Sequence, residues 1–273
     1  MSISEFQGQV GFLGAGNMGS ALIQGYLKAG LAPDHIQVFD TDEAKLSPLA
    51  VAGIVTKSSP SEAVEGAHVV ILAVKPSSLP GLLSGLPGSA SPLWLSLAAG
   101  VTTKSITSYL SKDKHPPRVV RAMPNTPALV LAGATALAAG EHATAEDLDH
   151  AEMLMRAVGS VVRVDESLMD AVTGLSGSGP AFVMMFIEAL ADGGVHAGLP
   201  RQTAQTLAAE TVRGAAELLL RSGKHPGELK DQVASPGGTT IAGVAALEKA
   251  GFRQASMAGV LAAFERARQL SQK

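Results

Sequence analysis

Residues 10–28 constrain what this chain can fold into more than any other stretch. Val10-Gly11-Phe12-Leu13 is a short apolar run that enters Gly14-Ala15-Gly16-Asn17-Met18-Gly19, and an Ala/Leu/Ile-rich segment continues to Gly30. Read locally, this is strand, glycine turn and helix. In the dinucleotide fingerprint the first glycine makes the tight turn and the second lets a pyrophosphate approach the backbone. The third lets helix and strand pack closely. Gly14, Gly16 and Gly19 stand in those three places. A glycine-rich turn without a ligand has the same letters, so the flanking strand and helix carry the reading.

Ile36-Gln37-Val38-Phe39 reads as a second strand ending at Asp40, which stands 21 residues past Gly19. A carboxylate there can accept both ribose hydroxyls of NADH and repels a 2′-phosphate. Lys45 is the nearby cation and no Arg follows closely, so the pattern leans towards NADH or towards tolerance of both NADH and NADPH. The alternative is that Asp40 or Asp42 only caps the helix expected over Glu43 to Ala50.

Val69-Val70-Ile71-Leu72-Ala73-Val74 is a continuous apolar run of the kind buried on both faces of a parallel sheet. Lys75-Pro76 ends it, placing Lys75 where open α/β sheets put ligands, or leaving it as a solvated strand-end cation. Leu93 to Leu97 and Val119 to Met123 supply further strands. The first is followed by Ala98-Ala99-Gly100, the second by Pro124-Asn125-Thr126-Pro127, whose prolines fix a loop. Apolar strands alternating with helical segments predict an α/β doubly wound sheet. The strand signal stops after Val161 to Val164, which divides the chain into residues 1–164 and a helical part, residues 165–273.

Composition narrows the partners. With 273 residues, 46% of them hydrophobic and 16% charged, the chain has room for two cores. A net charge of −3 without a dense Lys/Arg cluster gives no basis for binding nucleic acid or an anionic membrane. The absence of cysteine removes disulfides, thiol nucleophiles and Cys-based metal sites, and fits a cytoplasmic protein. Met1 to Gln9 carries Glu5 and Gln7 where a signal peptide needs a basic start and an apolar core, and no apolar run reaches membrane-spanning length. The seven histidines, His35, His68, His115, His142, His150, His196 and His225, show no ligand spacing, so no metal is expected.

In the helical half, Ser176-Gly177-Ser178-Gly179-Pro180 opens a long apolar segment, with Ser178 as its cap and Pro180 in the tolerated first turn. It is not a nucleophile elbow, because G-x-S-x-G fails and no strand leads in. Apolar positions from Pro200 to Leu220 and from Met257 to Ala267 keep helical spacing, as core or as a buried subunit face, and homodimerisation is the expectation. Glu188 and Asp192 share a helix face, either as an acid-base pair or as a solvated one. Ser235-Pro236-Gly237-Gly238-Thr239-Thr240 precedes another helical run. Flexible glycines, two hydroxyls and a helix N-terminus suit a small carboxylate, although a capped turn between helices has the same pattern.

Taken together, Gly11 to Gly19, Ala73-Val74-Lys75-Pro76, Met123 to Pro127, Leu175 to Ala181 and Glu228 to Thr240 closely resemble the pyrroline-5-carboxylate reductase family over nearly the whole chain. The resemblance implies an N-terminal Rossmann domain, an all-α C-terminal dimerisation domain, and NADPH- or NADH-dependent reduction of 1-pyrroline-5-carboxylate to L-proline. It also implies dimers that assemble further into decamers. By the same resemblance Ala15, Asn17 and Met18 join the glycines beside the cofactor. Ala73, Val74, Lys75, Pro76, Ala98, Asn125 and Thr126 flank the nicotinamide side. Ser235, Gly237, Gly238, Thr239 and Thr240 hold the substrate carboxylate with Pro180 against the ring, and Lys75 is a weaker substrate contact. Thr240 is the candidate catalytic residue, its hydroxyl hydrogen-bonding the developing amine directly or through water. Asp40-Thr41 departs from the family's usual pattern, which puts the NADPH preference in doubt. Pro60 stands where many relatives have an Asn that approaches the cofactor, and that contact is not carried over. A sister imine or β-hydroxyacid reductase and a non-catalytic dinucleotide sensor are the competing readings.

Overall fold

The computed structural model describes residues 3–86, 92–110 and 116–271. Its strands are β1 Val10–Leu13, β2 Ile36–Phe39, β3 Val55–Thr56, β4 Val69–Leu72, β5 Leu93–Ser96, β6 Arg118–Met123, β7 Gly133–Ala139 and β8 Gly159–Arg163. They form one sheet in the order β3-β2-β1-β4-β5-β6-β7-β8. The chain winds outwards from β1 in both directions, so the order reverses between β1 and β4, and an open α/β sheet takes ligands outside the strand ends at such a point. The run expected to reach Val74 pairs only to Leu72; Ala73 onwards leaves the sheet for that crevice.

Burial explains why these short runs are strands. β1, β4 and β5 are buried at every position, and their residues alternate between two cores. Val69 and Ile71 pack with Leu22, Ile23 and Tyr26 of α1 (Asn17–Lys28) and with Leu154 and Met155 further along the chain. Val70 and Leu72 pack on the other face with Ala63 and Val64, Leu79 and Leu83, and Ile106. The helices concerned are, in order, α2 Glu43–Val51, α3 Pro60–Val64, α4 Leu79–Ser84, α5 Thr103–Leu110 and α6 Ala145–Arg156. A sheet covered on both faces needs apolar residues at every strand position, which is why the alternating pattern of a half-exposed strand is absent.

β7 is antiparallel to β6, and β8 is parallel to β7. The stretch between Met123 and Gly133 is too short for a parallel crossover, which needs a dozen or more residues. It instead turns through a 3₁₀ segment, Thr126–Val130, and Leu131 at φ 61°.

The chain divides into two compact units. One contains residues up to Ser178 together with those from Ala263 onwards, and the other is Gly179–Ala262. Within the first, Arg121 of β6 is only 2% exposed. Its Nη1 lies 3.8 Å from Glu166 Oε1 and its Nη2 lies 3.9 Å from Asp170 Oδ1. Glu166 also accepts from the Thr103 N–H and hydroxyl at 2.7 and 2.6 Å, and Asp170 accepts from the Ser271 hydroxyl at 2.8 Å. One buried cation thus gathers the start of α5, the segment after β8 and the end of the last helix. Burial pulls the guanidinium pKa down, with the two carboxylates opposing it.

The second unit is helical. After α7 (Met169–Val172) and a π turn at Thr173–Gly177 come α8 Gly179–His196, α9 Arg201–Ser222, α10 Pro226–Val233, α11 Thr239–Lys249 and α12 Phe252–Ser271, which runs back into the first unit. Its buried cluster consists of Ala191, Ala204 and Ala208 where α8 meets α9, with Ile187 and Val195 packed against them. Met184, Met185 and Leu220 are 63%, 69% and 84% exposed. One point corrects the sequence reading. The helical stretch Glu166–His196 contains a window long and apolar enough to cross a membrane by length and composition alone. Glu188 and Asp192, with Gly and Ser residues before them, divide the stretch, so the sequence shows no long apolar run there.

Replacing Arg121 with Met is expected to destabilise the first unit by about 2–3 kcal/mol in urea unfolding. That lies below the ~3–5 kcal/mol typical of a fully buried broken pair, because Glu166 and Asp170 retain some solvent contact.

Candidate active site

The three glycines of the β1–α1 turn have three different surroundings. Gly14 sits at φ 108°, and a Cβ there would lie 2.7 Å from the Ala73 carbonyl oxygen, so this position closes the turn against the chain leaving β4. A Cβ on Gly19 would meet the Gly14 oxygen at 2.4 Å, which is the close helix-to-turn packing expected of the third glycine. A Cβ on Gly16 would meet nothing within 4 Å. The second glycine therefore faces open space while its neighbours are packed, as a position approached by a ligand should. Gly16 is also the N-cap of α1 and brings no side chain to the first amides of the helix. Those of Asn17, Met18 and Gly19 have no intrahelical acceptor and suit an anion. Both observations fit a pyrophosphate.

Asp40 secures this turn to β2. Its Oδ2 accepts from the Ala15 N–H at 2.7 Å, and the Gly14 N–H donates to the Phe39 carbonyl at 2.8 Å. Oδ1 accepts from the Asp42 N–H at 2.9 Å and from Lys45 Nζ at 3.2 Å. Burial pushes the Asp40 carboxyl up, but the Ala15 and Asp42 amides and Lys45 outweigh it and hold the pKa below the usual carboxylate range. The helix cap proves to be Asp42, whose Oδ1 accepts from the Ala44 N–H at 3.1 Å.

A cavity of about 520 Å³ opens beside this turn. It is lined by Gly14, Gly16, Asp40, Ala73, Val74 and Lys75 of the expected cofactor residues, and also by Thr41, Lys45 and Ser78. Lys75 is exposed, and Pro76 starts a 3₁₀ turn whose Ser78 N–H donates to the Lys75 carbonyl at 2.9 Å. Ala98, Asn125 and Thr126 do not line this cavity. Ala98 is buried behind β5, with its N–H 3.3 Å from Ser96 Oγ, and Thr126 is exposed. The Asn125 side chain acts as a brace. Its Oδ1 accepts from the Ala134 N–H at 2.9 Å, and its Nδ2 donates to the Ser176 carbonyl and hydroxyl at 3.3 Å. The sequence does not show the tie of Asn125 to Ser176 or those of Lys45 to Asp40 and Asp42, because nothing in a linear pattern shows which side chain an amide or ammonium will meet.

In the helical unit, Ser235 to Thr240 form a tight turn into α11. Gly237 is at φ 66°, and the Gly238 N–H donates to the Ser235 carbonyl at 3.1 Å. Gly238 is the N-cap and supplies no side chain, so the amides of Thr239, Thr240 and Ile241 begin the helix without intrahelical acceptors. Ser235, Pro236, Gly237 and Thr239 are exposed, and Gly238 and Thr240 are half-buried. Pro180 is half-buried in the first turn of α8. Glu188 and Asp192 are both exposed, and Asp192 pairs with Arg201 at 2.5 Å, so this face is a solvated one. Among the described residues no group of three or more His, Asp or Glu side chains is placed to hold a metal; His115 lies outside them.

The similarities of this chain fall in the same two regions. Residues 9–100 match the family described as NADP oxidoreductase coenzyme F420-dependent, and residues 166–270 match pyrroline-5-carboxylate reductase dimerisation. A pyrroline-5-carboxylate reductase of Methanosarcina acetivorans is 49% identical over 269 residues, covering 97% of this chain and 98% of the relative. The chain belongs to the pyrroline-5-carboxylate reductase family. The structure of a family member from Coxiella burnetii superposes with a TM-score of 0.92 at 36% identity, covering 98% of this chain and 100% of that one. A Plasmodium falciparum pyrroline carboxylate reductase solved with NADP bound gives 0.84 at 29% identity, covering 97% and 98%. The Rossmann-like sheet and the all-helical C-terminal region expected of such a reductase are both present.

If Gly16 faces a ligand and not the protein, Gly16→Ala in this reductase should leave the melting behaviour within about 0.5 kcal/mol of wild type. NADPH affinity, followed by fluorescence titration, should fall at least about tenfold. Gly14→Ala should behave in the opposite sense, losing about 1–3 kcal/mol of stability through backbone strain.

Proposed function

We propose that the chain reduces the C=N bond of 1-pyrroline-5-carboxylate to give L-proline, using NADPH or NADH as the hydride source. The observation that carries this reading is the division of labour among Gly14, Gly16 and Gly19, which matches a dinucleotide site in a chain related to named reductases over almost its whole length. The bound dinucleotide supplies the hydride for the imine carbon, and the chain's own task is to hold and orient. The free amides of Asn17, Met18 and Gly19 at the start of α1 grip the phosphates beside the open Gly16, and Asp40 and the Phe39 carbonyl fix the turn by holding the Ala15 and Gly14 amides. Ala73, Val74, Lys75 and Pro76 wall the crevice where the chain leaves β4, and Ala98, Asn125 and Thr126 belong to the nicotinamide side.

The turn Ser235–Thr240 holds the substrate carboxylate. Exposed amides at the start of α11, together with the Ser235 and Thr239 hydroxyls, suit a carboxylate without an arginine. Pro180 packs against the substrate ring, and Lys75 is a further substrate contact. The Thr240 hydroxyl hydrogen-bonds the nitrogen as it becomes an amine and positions the proton delivered there, directly or through water. Positioning of this kind gains most where the bond is made only as the reaction proceeds.

Residues 1–164 form the dinucleotide-binding domain and residues 165–273 the helical dimerisation and substrate domain. The end of the strand signal supports that division, although residues up to Ser178 pack with the sheet unit. A helical unit whose own buried cluster centres on three alanines, and which leaves Met184, Met185 and Leu220 bare, needs another apolar surface to cover it. A second copy of the chain fills that need, and five such dimers make a decamer. The same covering accounts for the apolar stretch Glu166–His196 without a bilayer. The cysteine-free sequence supports a cytoplasmic location.

Purified protein given 1-pyrroline-5-carboxylate should consume NADPH or NADH absorbance and form proline. No turnover with either, in protein that binds both dinucleotides, would overturn the reading. Thr240→Ala is expected to lower kcat/KM about tenfold to a thousandfold while dinucleotide affinity is unchanged. Light scattering after gel filtration should give the mass of two or ten chains; a monomer at micromolar concentration would contradict the assembly.

A further inference from the structure

Resting on the dinucleotide reading above, we propose that Lys45 decides between the two cofactors by exchanging partners. Paired with Asp40, it leaves a site for the free ribose 2′-hydroxyl of NADH. Released from Asp40, it takes the 2′-phosphate of NADPH, so that one cavity accepts both.

A carboxylate at the end of the second strand of a Rossmann sheet selects NADH in two ways. It grips the ribose hydroxyls, and its charge repels a 2′-phosphate. Asp40 is compromised in both. Its Oδ2 already accepts from the Ala15 amide at 2.7 Å, and its Oδ1 accepts from the Asp42 amide at 2.9 Å and from Lys45 at 3.2 Å. A carboxylate offers about four lone-pair sites, so about one is free, on Oδ2. That suffices for a single hydroxyl and falls short of a two-point grip. The two backbone amides offset part of the negative charge that would repel a phosphate, and they stay in place when Lys45 changes partner.

The three members of the cluster are not equally free to move. Asp40 is pinned by two backbone amides, and Asp42 is pinned by the Ala44 N–H at 3.1 Å as the cap of α2. Lys45 is held by ion pairs alone, at 3.2 Å to Asp40 and 3.6 Å to Asp42, and its side chain is 42% exposed. Exposed pairs of this kind contribute little to stability, so exchanging one for a doubly charged phosphate costs little. Lys45 and Thr41 line the same cavity as Gly16, and the Lys45 ammonium stands beside Asp40 at the end of β2, so Lys45 borders the cavity proposed for the dinucleotide. Without Lys45, Asp40 and Asp42 would make that end of the cavity negative and hostile to the phosphate.

The test is calorimetric titration of the full chain with NADP⁺ and NAD⁺, and with 2′,5′-ADP against 5′-AMP as adenosine-end probes. Wild type should bind both dinucleotides. In Lys45→Met the ratio of NADP⁺ to NAD⁺ affinity should fall about tenfold or more, as expected for loss of a charge-assisted contact. The two fragments should show the same change in ratio, and Lys45→Arg should restore most of it. An unaltered ratio in Lys45→Met, with both dinucleotides still bound, would overturn the role of Lys45 alone. Failure of wild type to bind either dinucleotide would overturn the cofactor reading and this proposal with it.

Discussion

The hydrogen bond from the Ala15 amide to Asp40 Oδ2 is the interaction on which the candidate site depends. A glycine turn open enough to admit a pyrophosphate has no side chains of its own with which to hold its shape. Gly16 projects nothing into the cavity, and Gly14 is in a conformation that other residues resist. The rigidity must come from outside the turn, and here it comes from the end of the neighbouring strand through Asp40 and the Phe39 carbonyl. Asp40 also lines the cavity, so the group that shapes the turn borders the end proposed for the ribose. Replacing it would disturb both, which is why cofactor preference is better probed at Lys45, which has no tie to the backbone.

The two units solve the problem of burying apolar surface differently. The sheet is sandwiched between α1 and α6 on one face and α3, α4 and α5 on the other, and it closes two extended cores within one chain. The helical unit buries three alanines and leaves long side chains outside. Small residues let α8 and α9 approach closely, but each such contact removes little area from water, and burial energy scales with area. The match to a dimerisation family, over residues 166–270, takes in the unit that leaves these apolar side chains bare.

Much of this was legible from the sequence, and the reason is that the legible parts are local. Strand, glycine turn and helix follow one another without a gap, so Gly14, Gly16 and Gly19 could be assigned separate duties before any coordinate was known. The strands β2, β4, β5, β6 and β8 announced themselves as apolar runs for the same reason. β7 did not, because Gly133-Ala134-Thr135-Ala136 is too small and weakly apolar to look like a strand; it is held by pairing to β6 and β8 on either side. In the sequence Asp40 reads as a ribose ligand, with Asp40 or Asp42 as a helix cap the alternative. The structure gives the cap to Asp42 and ties Asp40 to Ala15, a partner 25 residues away. Asn125 and Arg121 were hidden in the same way, their meaning set by Ser176, Glu166 and Asp170 far along the chain.

Those long-range ties share a direction. From β6, Arg121 reaches Glu166 and Asp170, and four residues later Asn125 reaches Ser176. Both act on the stretch that leaves the sheet unit and becomes α8. Arg121 lacks close partners for its Nε and Nη2, and Asn125 bonds Ser176 at 3.3 Å, so neither tie is at its shortest. β6 and the loop that follows it thus carry an ionic anchor and an amide brace, which hold residues 166–176 to the sheet unit at two points. The two prolines of Pro124–Pro127 stiffen the loop that carries Asn125, and so hold its amide where it reaches Ser176.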